Sequence, residues 1–311
     1  MISKSLIRIG TRGSKLALWQ ANFVKDSLQS IFPKLVVYLK IIRTTGDSFT
    51  DRPLADIGGK GLFVKEIEEA LLSDSIDIAV HSMKDVPAEL PPGLEISTFL
   101  AREDPRDVLL SNGHVKFADL PPNARLGTGS LRRQVQIARL RDDLDIKPLR
   151  GNVDTRIRKL IEGQYDAIVL ASAGLNRLEL GSEITEHFSA ADLIPSPGQG
   201  IIGIESRIDD QETREIVYRL KDIDAVCAIG AERNFVKQMG GDCSMPLGCY
   251  CEIKSGSEIE ISGFVASVDG KDLIKDKISG VAHENIRLSE ELAKKIIFNG
   301  GKEIIDGFAN S

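Results

Sequence analysis

Ten basic side chains stand against four acidic ones in residues 125–159, within a chain whose formal net charge is −6. The basic set is Arg125, Arg132, Arg133, Arg139, Arg141, Lys147, Arg150, Arg156, Arg158 and Lys159. Such a run is either a solvated basic face or an anion site. Placement bears on the choice. Arg132-Arg133 follows Gly127-Thr128-Gly129-Ser130, and Arg150-Gly151-Asn152 repeats the order of strand, glycine and helix, as does Arg12-Gly13-Ser14 near the start. At these turns the first backbone N–H groups of the helix point outward, and a guanidinium beside them adds to a place already suited to negative charge. The planar arginine fork matches carboxylate or phosphate, so several forks around one cleft suit a small polyanion. Aromatic residues are only 5% of the chain and none interleaves with residues 125–159, which argues against nucleic acid.

A second cluster is His81-Ser82-Met83-Lys84-Asp85-Val86-Pro87, at the end of a compact apolar run. Lys84 and Asp85 read either as a structural ion pair or as an acid–base site, because strand ends in open α/β sheets are where ligands bind. His81 and Ser82 are adjacent in a strand and face opposite ways, so they do not form a nucleophilic pair. A third candidate is Cys243, in the turn Met239-Gly240-Gly241-Asp242-Cys243-Ser244-Met245-Pro246, where a thiolate is accessible as a nucleophile. Cys227 falls in a helical pattern, and Cys249 and Cys251 alternate along a strand as small apolar core residues. Cys243, Cys249 and Cys251 have no histidine nearby and match no ligand spacing, so no metal site is expected.

Periodicity shows the elements that must position these groups. Residues 6–10 read as a strand, and Ser14 as the cap of a helix whose apolar positions Leu16, Trp19, Phe23, Val24, Leu28 and Ile31 keep the helical period. A strand at 35–42 follows, then Gly58-Gly59-Lys60-Gly61 feeding an amphipathic helix at 62–72, then a strand at 76–81. A second α/β run opens near Asp107, with strands at 108–110, 125–128, 146–149 and 167–171 and helices between them. The phrase Arg8-Ile9-Gly10-Thr11 recurs as Arg125-Leu126-Gly127-Thr128, each before a helix, which predicts two domains of related topology. Pro195-Ser196-Pro197-Gly198-Gln199-Gly200 reads as a crossover, followed by a strand at 201–204 and a helix at 211–220. Residues 221–311 change character: helix 224–238, strands 247–253, 258–266 and 273–279, and helix 290–299 predict a separate α+β domain.

Length and composition set the outer bounds. At ~150 residues per domain a chain of 311 residues makes two domains, or three small ones. Its longest apolar runs fall short of the roughly 18 residues that span a bilayer. Four cysteines without a C-x-x-C pair fit a reducing compartment better than a disulfide framework. The opening residues lack the apolar stretch of a secretory signal, so the expected location is cytoplasmic.

Taken together, these motifs resemble the porphobilinogen deaminase (hydroxymethylbilane synthase) family along nearly the whole chain. The phrases that carry the resemblance begin with Thr11-Arg12-Gly13-Ser14-Lys15-Leu16-Ala17, Gly58-Gly59-Lys60-Gly61-Leu62-Phe63 and the segment from Ala79 to Pro87. They continue with Arg102-Glu103-Asp104-Pro105-Arg106-Asp107, Ser130-Leu131-Arg132-Arg133, Leu149-Arg150-Gly151-Asn152-Val153, Pro197-Gly198-Gln199-Gly200 and the Cys243 loop. The resemblance implies an α/β fold of two similar domains with crossing hinge segments, like type II periplasmic binding proteins, plus a small C-terminal α+β domain. The division is then 1–100 with 200–220, 101–199, and 221–311. It also implies condensation of four porphobilinogens head to tail, with loss of ammonia, into hydroxymethylbilane. The primer is a dipyrromethane joined by a thioether to the cysteine matching Cys243, and the expected working form is a monomer with no nucleic-acid or membrane partner.

By position in the motifs, Asp85 matches the family's catalytic carboxylate. Ser82, Lys84, Thr128, Ser130, Arg132 and Arg133 match cofactor contacts, while Arg12, Ser14, Lys60, Phe63, Arg150, Arg156, Arg177 and Gln199 match substrate-binding positions. Each porphobilinogen brings an acetate and a propionate, so a growing chain gathers carboxylates that an arginine set must hold. Two positions depart from some members: Asp56 stands where they carry lysine, and Gly129 where they carry serine. An anion receptor is the competing class, since paired α/β domains with helix-terminal anion sites describe one equally well. Such a receptor would normally be exported, and it gives no role to the Cys243 loop or the third domain.

Overall fold

In a computed structural model, residues 4–45, 64–87, 89–240 and 245–309 are described. The chain divides into two compact units, Met1–Arg102 with Ile201–Val226, and Glu103–Gly200 with Cys227–Ser311.

The first unit is built on strands β1 (Leu6–Thr11), β2 (Val36–Ile41), β3 (Ile78–Ser82), β4 (Leu94–Phe99) and β10 (Ile202–Arg207). Their order is β2-β1-β3-β10-β4, with β1 parallel to β2 and β3, and β10 antiparallel to β3 and β4. Helices α1 (Lys15–Ile31), α2 (Lys65–Leu72) and α6 (Gln211–Tyr218) belong to it. Helix α1 starts where the sequence predicts. Ser14 is extended and its Oγ accepts the Ala17 N–H at 3.3 Å, satisfying one of the orphan donors of the first turn. The helix then buries Ala21, Val24 and Leu28 against Ile7, Ile9, Val37, Ile78, Val80 and Ile204. Strand β3 is central and buried from Ile78 to His81, whereas edge strand β2 exposes Val36 and Tyr38 on alternate positions.

The second unit winds a sheet in the same way. Strands β5 (Asp107–Ser111), β6 (Arg125–Gly127), β7 (Asp145–Lys147), β8 (Ala167–Ala171) and β9 (Glu186–His187) take the order β7-β6-β8-β5-β9. Here β6 is parallel to β7 and β8, and β5 is antiparallel to β8 and β9. Helices α3 (Leu131–Leu140), α4 (Val153–Ile161) and α5 (Ser172–Arg177) accompany it. A third, antiparallel sheet, β11 (Leu247–Ile253), β12 (Glu258–Ala266) and β13 (Leu273–Val281), lies in this unit too. With it go α7 (Ile223–Gln238), which begins in the first unit's last segment, α8 (Asn285–Ile296) and α9 (Lys302–Ala309). Phe264 and Ala266 of β12 pack with Val135 of α3 and Ile194, so the third sheet shares a core with the second. The fold class is therefore α/β, with two like-wound sheets and a smaller α+β part.

The repeated phrase marks one device used twice. The Arg8 backbone N–H donates to Asp77 Oδ2 at 2.7 Å and its Nε to the same oxygen at 2.9 Å. Arg125 engages Asp166 in the same way, at 2.7 and 3.1 Å. Asp77 and Asp166 each stand immediately before the central parallel strand, β3 or β8. Two residues along, a Cβ at Gly10 would lie 2.3 Å from Ile76 Cδ1, and one at Gly127 would lie 2.8 Å from Tyr165 Cδ1. Each glycine thus makes room for the side chain just before its aspartate. Among the described residues no helix is long and apolar enough to cross a membrane.

Burial opposes ionisation of Asp77, but hydrogen bonds from Arg8 and Lys4 outweigh it and pull the carboxyl down to about 2. Because the folded value is depressed, this stabilisation is present above the ordinary value of 3.8 and fades as pH falls toward about 2. Asp77→Asn is expected to cost about 2–3 kcal/mol at neutral pH by urea unfolding, from lost charge-assisted hydrogen bonds. The gap from the unsubstituted chain should narrow below pH 3.8. A gap independent of pH would show that the charge is not what matters.

Candidate active site

In the first unit, the loops after the parallel neighbours β1 and β3 leave the sheet at the same edge. The β1 loop carries Arg12, half-buried, and Ser14, whose hydroxyl caps α1. After β3 the chain enters a single 3₁₀ turn, Met83–Asp85. That turn is pinned from below. The Met83 N–H donates to Ile201 O at 3.0 Å, and Met83 lies so close over β10 that a Cβ at Gly203 would sit 2.2 Å from its Sδ. Gln20 of α1, itself buried, donates from Nε2 to Ser82 Oγ at 2.9 Å and ties the two loops together. Lys84 is half-buried. Asp85 is exposed, and its side chain makes no hydrogen bond or ion pair among the described residues. The Lys84–Asp85 ion pair, one of the two readings open from the sequence, is not formed.

His81 behaves as its strand position demands. Its ring is buried, with Nε2 2.8 Å from Glu205 Oε2, pointing away from Ser82.

In the second unit, the loops after β6 and β7 are stitched together. The Thr128 N–H donates to Lys147 O at 2.9 Å, and the Leu149 N–H donates to Thr128 O at 3.2 Å. Thr128 Oγ1 accepts the Ser130 N–H at 3.3 Å, and Arg156 Nε donates to Gly151 O at 2.7 Å. Thr128, Ser130, Arg150 and Arg156 are therefore brought together by one pair of loops. Gly129 is required there, because a Cβ would lie 2.6 Å from Leu149 O. A serine at this position needs the loop to move.

Arg132 and Arg133 are not on the surface of the basic segment. They are 5% and 6% exposed, and both forks close on Asp107, which has no exposure at all. Arg132 Nη2 donates to Asp107 Oδ2 at 2.6 Å and Nη1 to Ile194 O at 2.7 Å. Arg133 donates to Asp107 Oδ1 from Nη2 at 2.8 Å and to Val169 O from Nη1 at 3.1 Å. Gln199 Nε2 completes the shell, 2.9 Å from Asp107 Oδ1 and 2.6 Å from Pro105 O. Burial opposes the Asp107 charge, but the two guanidiniums overcome it and hold the carboxyl well below the usual range. Two cations and one anion leave the cluster formally positive. Arg177 is also buried: Nη2 donates to Gly200 O at 2.6 Å, and burial lowers its guanidinium to about 10 against the opposing pull of Glu103.

Lys60, Phe63 and Cys243 lie outside the described residues, as do Asp56 and residues 47–60. Asp107, Gln20 and Glu205 were not singled out from the sequence. The one available signal for Asp107 was chemical: two adjacent arginines in an apolar-faced helix need an acid, and none stands three or four residues away on that helix. The loop donors of the first unit, Arg12 and Lys84 with the Ser82 hydroxyl, and, taken separately, those of the second, Arg150 and Arg156 with the Thr128 and Ser130 hydroxyls, are each of a kind that binds carboxylate.

Residues 7–215 match the family model described as "Porphobilinogen deaminase, dipyromethane cofactor binding domain", and residues 226–297 match "Porphobilinogen deaminase, C-terminal domain". The chain belongs to the porphobilinogen deaminase family. A porphobilinogen deaminase of Syntrophobacter fumaroxidans is 47% identical over 301 residues, 97% of each chain. One of Geobacter metallireducens is 49% identical over 299 residues, 96% of this chain and 93% of the other. Among solved structures, the methionine binding protein MetQ aligns with a TM-score of 0.45 and 13% identity over 71% of this chain and 92% of that one. The sheet orders, not this last likeness, define the fold. The dipyrromethane that the family model names is a polycarboxylate, and the loop donors within each unit have the chemistry to bind carboxylate.

Removing the charge of Asp107 would leave two buried guanidiniums facing each other. Asp107→Asn is expected to destabilise by about 3–5 kcal/mol, the usual cost of breaking a buried pair from one side. Urea unfolding checks this, and a change below about 1 kcal/mol would show that the arginines find water or other partners.

Proposed function

We propose that this chain condenses four porphobilinogen molecules head to tail, releasing ammonia, into the linear tetrapyrrole hydroxymethylbilane, with Asp85 as the catalytic carboxylate. The observation that carries the assignment of Asp85 is its isolation: an exposed carboxylate with no partner among the described residues, on a turn locked to β10 directly after Ser82 and Lys84. A dipyrromethane held by a thioether to Cys243 supplies the first acceptor carbon when bound. Ser82, Lys84, Thr128, Ser130, Arg132 and Arg133 hold its carboxylates. Arg12, Ser14, Lys60, Phe63, Arg150, Arg156, Arg177 and Gln199 serve the incoming substrate. Of the buried members, Arg132, Arg133 and Arg177 also contribute positive charge, and Thr128 and Gln199 also fix the position of the loops.

The chemistry assigned to Asp85 follows from charge. When the aminomethyl C–N bond of porphobilinogen breaks, its electron pair leaves with ammonia, and the cation left on the substrate spreads to the pyrrole N–H. A fixed carboxylate near that nitrogen stabilises the cation. After the new C–C bond forms, the coupled ring carbon must lose its proton, and the same carboxylate accepts it. Repeating both acts on each new unit requires that the chain move past one Asp, and release of the tetrapyrrole consumes one water, which supplies its terminal hydroxyl. The protein works as a cytoplasmic monomer on a small anionic substrate, with neither nucleic acid nor membrane as partner. The net charge of −6 supports the exclusion of nucleic acid.

An exposed, unpaired side chain contributes little to stability, so Asp85→Ala should unfold within about 0.5 kcal/mol of the unsubstituted chain. Its turnover should nevertheless fall by roughly 10²–10⁴-fold. Asp85→Glu keeps the charge but displaces it, and is expected to lie between the two. Hydroxymethylbilane production by folded, primer-bearing Asp85→Ala at a near-normal rate would refute the assignment.

A further inference from the structure

Directly beneath the Asp85 turn lies a buried set of titratable side chains that the chemistry above does not use. His81, on β3, is 6% exposed, and its Nε2 is 2.8 Å from Oε2 of Glu205, which is 1% exposed on β10. In the antiparallel register Gly203 faces His81 and Glu205 faces Ala79, so the pair is a diagonal cross-strand contact on one face of the sheet. That face is covered by α2, which packs Ile67 and Leu71 on Ile76 and Ala79. From the same helix Glu68 joins the pair. Its carboxyl is raised to about 6, first by burial and then by the Glu205 charge, with His81 acting in the opposite direction. Glu205 Oε1 is buried without a hydrogen-bond partner. An apolar pair of this size would pack there at no such desolvation cost, so stability alone is a poor reason for the arrangement.

Its place in the chain supplies a better one. His81 is followed by Ser82, the Gln20 partner, and then by the Met83–Asp85 turn. Strand β10 holds that turn from two sides: its approach, Ile201, accepts the Met83 N–H, and Gly203 makes room for the Met83 side chain. Glu205 is two residues further along the same strand. We infer that the His81–Glu205 bond, with Glu68 behind it, is a positioning device that fixes the end of β3 against β10 and thereby sets where the Asp85 carboxylate stands. The inference rests on the proposed role of Asp85. His81 and Glu205 touch neither substrate nor primer in this account; they act through the turn.

The test is a double-mutant cycle in the full chain, with primer loading verified by intact mass and folding by thermal melt. Glu205→Ala should lower kcat by roughly 10- to 100-fold, as expected for a reacting group displaced by about 1 Å. KM and primer content should stay near those of the unsubstituted chain. Glu205→Gln, which can still accept the His81 N–H, should recover most of the loss, and His81→Leu, which removes the same bond from the other side, replaces Glu205→Ala in the cycle if that variant does not fold. In an Asp85→Ala background the same Glu205 substitutions should have almost no further effect on kcat, because the group they position is gone. Independent, multiplying losses, or a Glu205→Ala variant with normal kcat, would overturn the positioning role while leaving Asp85 in place. A near-normal Asp85→Ala enzyme would instead overturn the catalytic reading itself.

Discussion

Asp107 between Arg132 and Arg133 is the interaction on which the second unit depends. One carboxylate with no exposure gathers two buried guanidiniums and the Gln199 amide, and through them joins the start of β5, the first turn of α3, Ile194 and strand β8. Desolvating three charges is costly, and the cost is offset only because nearly every donor of the forks has a partner. The arrangement explains how a segment with ten bases and four acids can be folded at all in residues 125–159. Part of its charge is turned inward onto one acid, Arg125 and Arg141 engage Asp166 and Asp143, and Arg150 and Arg156 are carried by the loops stitched beside Thr128.

The two sheets share their winding and their Arg–Asp fork, yet differ where function differs. At the register position next to the last residue of the central strand, β5 has Asp107 opposite Ala171, whereas β10 has Ile202 opposite Ser82. The second unit uses that position to neutralise arginines. In the first it is apolar, and the acid instead stands three residues beyond Ser82, unpaired and exposed, as Asp85. The same winding thus carries a buried, neutralised aspartate in one unit and an exposed, unpaired one in the other.

Local features were legible in the sequence because their causes are local. The Ser14 cap, Val24 and Leu28 on the buried face of α1, the alternating β11 to β13 strands and the repeated Arg-x-Gly-Thr phrase all depend on near neighbours, and the two sheets are like-wound as the phrase suggests; Phe23 and Ile31, expected on the apolar face of α1, are instead exposed. Features set by distant partners were not legible. His81 and Glu205 lie 124 positions apart, and Arg132 and Ile194 lie 62 apart, so no periodicity could pair them. Placement at a helix start suggested that Arg132 and Arg133 face ligand, but it says nothing about where a long side chain turns, and Asp107 draws both inward. The helix expected at 290–299 is instead Asn285–Ile296, followed by a wide turn, Ile297–Gly301, in which Gly300 takes a φ of 109°. Periodicity located the helix and the glycines located its end only approximately.

A covalent primer separates this chemistry from every binding-protein use of the same scaffold. Intact-mass measurement of the purified protein, followed by peptide mapping, detects it directly. The expected result is a polypeptide heavier than its sequence by two linked pyrrole units, with the added mass on the peptide that contains Cys243. An unmodified polypeptide, or an adduct on Cys227, Cys249 or Cys251 in place of Cys243, would contradict it.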